Sequence, residues 1–470
     1  MADIAEFDRY MAYLCEGLGY STRHRSLLEY CSGLMLPIQR KSVEPLAAHA
    51  DPLHVPAKHQ ALHHFVANAR WSDRSLLERI REHVEPHLGL EHEVYWIIDD
   101  TSHPKCGRHS VGVARQYCGR LGKQDNCQVA VSLSLATAEG SVPVDYRLYL
   151  PEDWANNMKR RRKAKVPGDI EFATKSQIAL EQVRTARQRG LTLGIVLADA
   201  GYGRDTAFRE ALDELGLTYA VGVMSSTTVW APGTGPLPTV SHAGRGRPPT
   251  RLRRGPGHAP VSVKELAFAL KPSAWKTVVW REGTNKTLSS RFARVRVRAA
   301  HRDHLRTSLR AEQWLLIEWP VKQTEPTKYW LSNLPADMSI SDMVNTAKMR
   351  WRIEQDYHEL KQEFGLSHYE GPRLDRLSSS RNRVHRRLRI SARTATSECV
   401  QKKLQSTKSG CLTRRLQTSR QPAERSATCR TRSQRFAILW ASRSHGDSND
   451  VRAAERSRGA SDTVQLLCGY

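Results

Sequence analysis

Two apolar runs in this chain end on aspartate: residues 94–98 lead into Asp99 and Asp100, and residues 194–198 lead into Asp199. A short apolar run closed by polar residues marks a strand buried on both faces, which needs layers of chain above and below it. Similar stretches predict strands at 94–100, 127–136, 141–150, 192–199 and 218–223, with helices near 173–188 and 205–215. Three strands followed by alternating helices and strands lead to an α/β fold with a sheet of mixed direction. Asp100 and Asp199 fall at the carboxyl ends of strands, where open sheets of this kind place their sites.

The flanks have different periods. Residues 1–88 read as a helical domain, with Phe7, Tyr10, Met11 and Leu14 and again Leu62, Phe65, Val66 and Ala69 at helical spacing. After the first part of the core, at 89–224, residues 225–335 read as a β-rich basic insertion with strands at 276–280, 291–298, 313–319 and 328–332. Within it Arg294, Arg296 and Arg298 alternate with valines, which makes one face of that strand basic. A glycine- and arginine-rich loop at 244–254 carries Arg245 and Arg247, suited to a narrow minor groove or to a basic linker. From Ser339 or Ser341, either a suitable N-cap, one long helix is expected to run to about Phe364 within the segment 336–371. Its apolar stripe is Met349, Ile353, Tyr357, Leu360 and Phe364, and Arg350, Glu354 and Lys361 form a neighbouring stripe at the edge of the core.

The net charge of +25 calls for a polyanionic partner, and its placement says more than its size. Residues 225–335 hold 19 Lys and Arg against 6 Asp and Glu, and residues 373–470 hold 22 against 7, while the rest of the chain is slightly acidic. No apolar stretch approaches the roughly 20 residues that span a bilayer, and the first residues lack the regions of a signal peptide, so a cytoplasmic protein with no membrane contact is expected. The nine cysteines have no regular spacing, and Cys106, Cys118 and Cys127 with His103 and His109 form no compact zinc-ligand pair.

Carboxylates are hard oxygen ligands suited to Mg²⁺ or Mn²⁺. Asp100, Asp199 and Glu354, brought together from two strand ends and a helix, can hold two such ions, an arrangement that cuts and rejoins phosphodiesters. Asp99 is the alternative to Asp100, since neighbours on a strand point to opposite faces.

On these residues the chain resembles the DDE transposases of bacterial insertion sequences. In that family the first acid commonly sits in an Asp-Thr pair after an apolar strand, as Asp100 and Thr101 do, and the second closes a core strand before a turn of small residues, as Asp199 does. The third lies in a helix with the pattern Tyr-x-x-Arg-x-x-x-Glu and a Lys seven residues on. Arg350, Glu354 and Lys361 match it, and Ala347 stands at the Tyr position. The resemblance covers about 1–371 and implies an RNase H-like core interrupted by a β-rich insertion. It further implies metal-dependent cleavage of double-stranded DNA at transposon ends, strand transfer into a target without a covalent protein–DNA intermediate, and a homodimer in the synaptic complex at the bacterial nucleoid. Arg350 and Lys361 would hold phosphates near the metals, the stretch carrying Lys105, Arg108, Arg115, Arg120 and Lys123 would contact DNA, and an insertion tryptophan would stack on a flipped base.

The tail at 372–470 is rich in Arg and Ser and reads as disordered. Displacing its reading frame by one base permits an apolar helix after residue 371, so a frameshifted C-terminus is expected. Two alternatives to a working transposase remain: a structure-selective nuclease with the same site, and a catalytically dead DNA-binding remnant of a decayed element, which the altered tail favours.

Overall fold

The computed structural model describes residues 2–69, 71–239, 244, 250–282, 287–362, 364 and 365. The readings of Arg245, Arg247 and the frameshifted tail lie outside the described residues. Five helices open the chain: α1 (Ala2–Glu16), α2 (Thr22–Met35), α3 (Val43–Ala50), α4 (Val55–Ala67) and α5 (Asp73–Val84). Phe7, Tyr10, Met11 and Leu14 are buried together with Leu62, Phe65 and Val66, as their spacing predicts. This helical layer shares one apolar core with the first strand, so it packs against the sheet.

β1 (Tyr95–Pro104) pairs antiparallel with β3 (Lys123–Ala136), which is flanked by β2 (Ala114–Cys118) and β4 (Ser141–Leu148). On its other side β1 pairs parallel with β5 (Ile195–Ala198), and β5 with β6 (Tyr219–Val223). The mixed α/β sheet expected from the apolar runs is therefore present. The connection from β4 to β5 holds α6 (Glu152–Ala155), α7 (Met158–Lys163) and α8 (Lys175–Gln188), and that from β5 to β6 holds α9 (Ala200–Gly203) and α10 (Thr206–Glu214). Thr174 caps α8 in a reciprocal capping box with Gln177.

The insertion supplies β7 (Thr228–Trp230), β8 (Val261–Ser262), α11 (Val263–Ala269), β9 (Lys276–Glu282), β10 (Thr287–Ala299), β11 (Gln313–Trp319) and β12 (Lys328–Ser332). β12 pairs antiparallel with β6, so these strands extend the core sheet to twelve strands.

The single long helix expected after Ser339 is broken in two, α12 (Ile340–Lys348) and α13 (Trp351–Gln362). Ser339 caps α12, its side chain accepting from the Asp342 amide. At the break the Met349 amide is shared between the carbonyls of Asn345 and Thr346, and the next bonds tighten to Arg352 on Met349 and Ile353 on Arg350. That tight turn re-phases α13 and frees the Arg350 side chain to reach across the sheet.

Candidate active site

The two neighbouring aspartates of β1 part company. Asp99 lies opposite Ser132 of β3 and Asp100 opposite Val131, and residues directly opposite share a face. The Ser132 hydroxyl hydrogen-bonds the Tyr357 hydroxyl of α13, so the Asp99 face is the one α13 covers. Asp100 turns to the other face, where its Oδ2 accepts from Lys175 Nζ of α8 at 2.5 Å. The strand pairing thus places Asp99, and not the expected Asp100, on the side of Glu354.

Asp199 is fixed by the turn that follows it. It caps α9, its Oδ1 accepting from the amides of Gly201 at 2.8 Å and Tyr202 at 3.3 Å. Ile97 pairs with Leu197, which sets Asp199 level with Asp99 two residues on. The small residues of this turn have a steric cause: a Cβ on Gly203 would overlap the carbonyl of Gly222 in β6.

Arg350 joins the pieces. Its Nη1 donates to Asp99 Oδ2 at 2.8 Å and its Nη2 to Glu354 Oε1 at 2.6 Å. Burial lowers the guanidinium pKa, but Asp99, Glu354 and Asp199 together raise it above its ordinary value. Burial pushes the Asp99 carboxyl up to about 7, with Arg350 opposing and with Asp100 and Asp199 adding to the rise. Asp99, Asp199 and Glu354 therefore stand around one cation, and Asp100 stands outside it with Lys175.

The other expected residues divide. Arg108, Arg115, Arg120 and Lys123 are exposed, Lys123 beside Asp125 at 3.3 Å, and Lys105 is half-buried. Lys361 lies over the Tyr357 ring. The basic face of β10 is half-buried. Arg294 and Arg296 stack on Trp314, and Arg298 pairs with Glu312 at 3.2 Å, because a neighbouring strand and the chain before α12 cover that face. Asp199, Arg350 and Glu354 line an open cleft of about 670 Å³, together with Lys264, Lys328 and Trp330. Sequence reading missed Lys175, whose signal was its place at the start of a capped helix.

Among the described residues no three His, Cys, Asp or Glu side chains converge as a metal-holding group, Arg350 and Lys175 standing among the acids instead. The donor set nevertheless fits a hard divalent cation: Asp100 and Asp199 add to the rise of the Asp99 carboxyl, and the buried hydroxyls of Thr101 and Tyr202 have no hydrogen-bond partner among the described residues. Burial and then Asp100, Asp99 and Asp199 all raise the Tyr202 phenol, which places it beside the acids.

Residues 13–287, more than half of the chain, match the family model described as DDE superfamily endonuclease. The chain belongs to that family. The matched part contains β1 and β5 with their aspartates and stops before α13. It is also 33% identical over 168 residues to a probable transposase for insertion sequence element IS701 of Microchaete diplosiphon. That alignment covers 36% of this chain and 41% of the relative, so the chain spans less than half of the relative's length.

Proposed function

We propose that this DDE endonuclease is an insertion-sequence transposase that cuts DNA at the element's ends and transfers the freed 3′ ends to a target, with Asp99, Asp199 and Glu354 as its catalytic carboxylates. The observation that supports this reading best is the single guanidinium of Arg350, which bonds Asp99 and Glu354 and feels the charge of Asp199. The three acids would hold two Mg²⁺ or Mn²⁺ ions, which supply activation of the attacking oxygen and stabilisation of the leaving oxygen when bound.

The chain's own residues prepare the site. Arg350 holds Asp99 and Glu354 close through one hydrogen bond to each, and the amides of α9 hold the Asp199 carboxylate in one orientation. Lys328 gives the cleft a positive charge for backbone phosphates, while Lys264 is paired with Glu325. Each end of the element would occupy one protomer of a homodimer in the synaptic complex.

The test is nicking of a supercoiled plasmid that carries the element's inverted repeats. Nicking is expected with Mg²⁺ or Mn²⁺, to stop in EDTA, and to be lost in Asp99→Ala, Asp199→Ala and Glu354→Ala, while Asp100→Ala retains it. Full nicking by Asp99→Ala together with none by Asp100→Ala would return the role to Asp100. A strand-transfer assay separates transposase from structure-selective nuclease, since the latter cuts without joining; a dead remnant would bind the ends and cut nothing.

A further inference from the structure

We propose that α7 and the turn after it form a second DNA-binding platform, which grips duplex phosphates on the flank of the cut; the proposal rests on the DNA-cleaving reading above. Residues 159–165 carry Lys159, Arg160, Arg161, Arg162, Lys163 and Lys165 and no acid. Two of these six are spent on anchoring. Arg161 is buried and donates to the carbonyls of Ala155 at 3.2 Å, Pro167 at 2.8 Å and Gly168 at 3.4 Å. The Arg160 guanidinium stacks on Trp154 at 3.8 Å, and Trp154 is buried with its indole nitrogen donating to the Val113 carbonyl.

The other four, Lys159, Arg162, Lys163 and Lys165, are exposed, and none is in an ion pair among the described residues. Exposed Glu152, Asp153 and Asp169 flank the segment without pairing to it. Four unneutralised cations on so short a piece of chain repel one another, a cost that a polyanion removes. Lys165 adds a second sign of constraint: its φ of 53° lies in the left-handed region, where a side chain is strained and glycine is not.

Position points to the same partner. Arg160 Nη2 donates to the Arg108 carbonyl at 3.1 Å, which ties the platform to the loop that follows β1 and carries Lys105 and Arg108.

The experiment uses the full chain with Glu354→Gln to hold back cleavage, and a labelled duplex containing one element end. Binding is measured across a salt series. The combined variant Lys159→Ala, Arg162→Ala, Lys163→Ala and Lys165→Gly is expected to bind more weakly and to flatten the salt slope by about 3 to 4, since each phosphate contact contributes about 0.9. Lys165→Gly alone is expected to flatten it by about 0.9 while the unfolding temperature holds or rises, because the left-handed strain is relieved; a merely structural lysine would not separate the two readouts. An unchanged slope in both variants, with salt-dependent binding by the parent, overturns the platform and leaves the transposase reading standing. A parent that binds no DNA overturns both.

Discussion

Lys348 closes α12 two residues before Arg350, and replacing it tests whether a buried ion pair holds the helix break in place. Its Nζ donates to both oxygens of Glu318 in β11, at 2.9 and 2.7 Å, and lies 4.3 Å from the centre of the Trp280 ring. Phe292 and Trp330 complete the aromatic wall. The two side chains are only 15% and 7% exposed, so water cannot replace a lost partner. Burial pulls the Lys348 pKa down and Glu318 pushes it back up, the balance expected of a charge held by its partner. Lys348→Met removes the cation and leaves Glu318 uncompensated, at a cost of about 3–5 kcal/mol. With a urea m-value of about 3 kcal/mol/M, the midpoint falls by about 1 to 1.7 M. Adding Glu318→Leu removes the stranded charge, and the double variant is expected within about 1 kcal/mol of the parent or above it. Urea unfolding followed by tryptophan fluorescence reads the change through Trp280 and Trp330, and hydrogen exchange localises it to α12. A single variant that costs less than about 1 kcal/mol, or a double variant whose cost is the sum of the singles, would refute the argument.

Gly203→Ala is expected to displace α9, because the new Cβ meets the Gly222 carbonyl. Both stability and nicking fall, since α9 carries the amides that hold Asp199; wild-type nicking by this variant would show that the carboxylate does not depend on the turn. Asp145, in β4, tests the pH side. Burial raises its pKa above 3.8, with Arg189 opposing. The native state then binds the extra proton, so this side chain's contribution is present at low pH and is lost as pH rises through the folded value. Asp145→Asn removes that loss, and its urea midpoint is expected to gain on the parent as pH rises from about 4 through the folded value. A gain that shrinks over that range would reverse the sign and refute it.

The strands of the core are legible where burial on both faces leaves an unbroken apolar run, as in β1, β5 and β6. β2 is not, because Ala114 to Cys118 is mostly polar and half-exposed and reads as a loop. The break between α12 and α13 has no Gly or Pro to announce it, and is set by backbone bonds at Met349 and Arg350. The alternation of Arg294, Arg296 and Arg298 reveals a face but not what covers it, and Trp314 and Glu312 arrive from later in the chain. The charge run of α7 passed unread because a run of cations has no fixed place in a sequence, and its anchoring by Arg161 and Trp154 supplies one.

The choice between Asp99 and Asp100 turns on the same difference between a pattern and its surroundings. Period two puts them on opposite faces, and a slip of one residue would exchange them. What opposes that slip is the whole ladder from Tyr95 opposite Ala136 to Pro104 opposite Cys127, and what gives the faces meaning is Tyr357 meeting Ser132 from 225 residues away. The acid that joins Glu354 is therefore selected by the pairing of β1 with β3 and by the helix laid over it. The Asp-Asp-Thr motif alone leaves that selection open, because it contains neither partner.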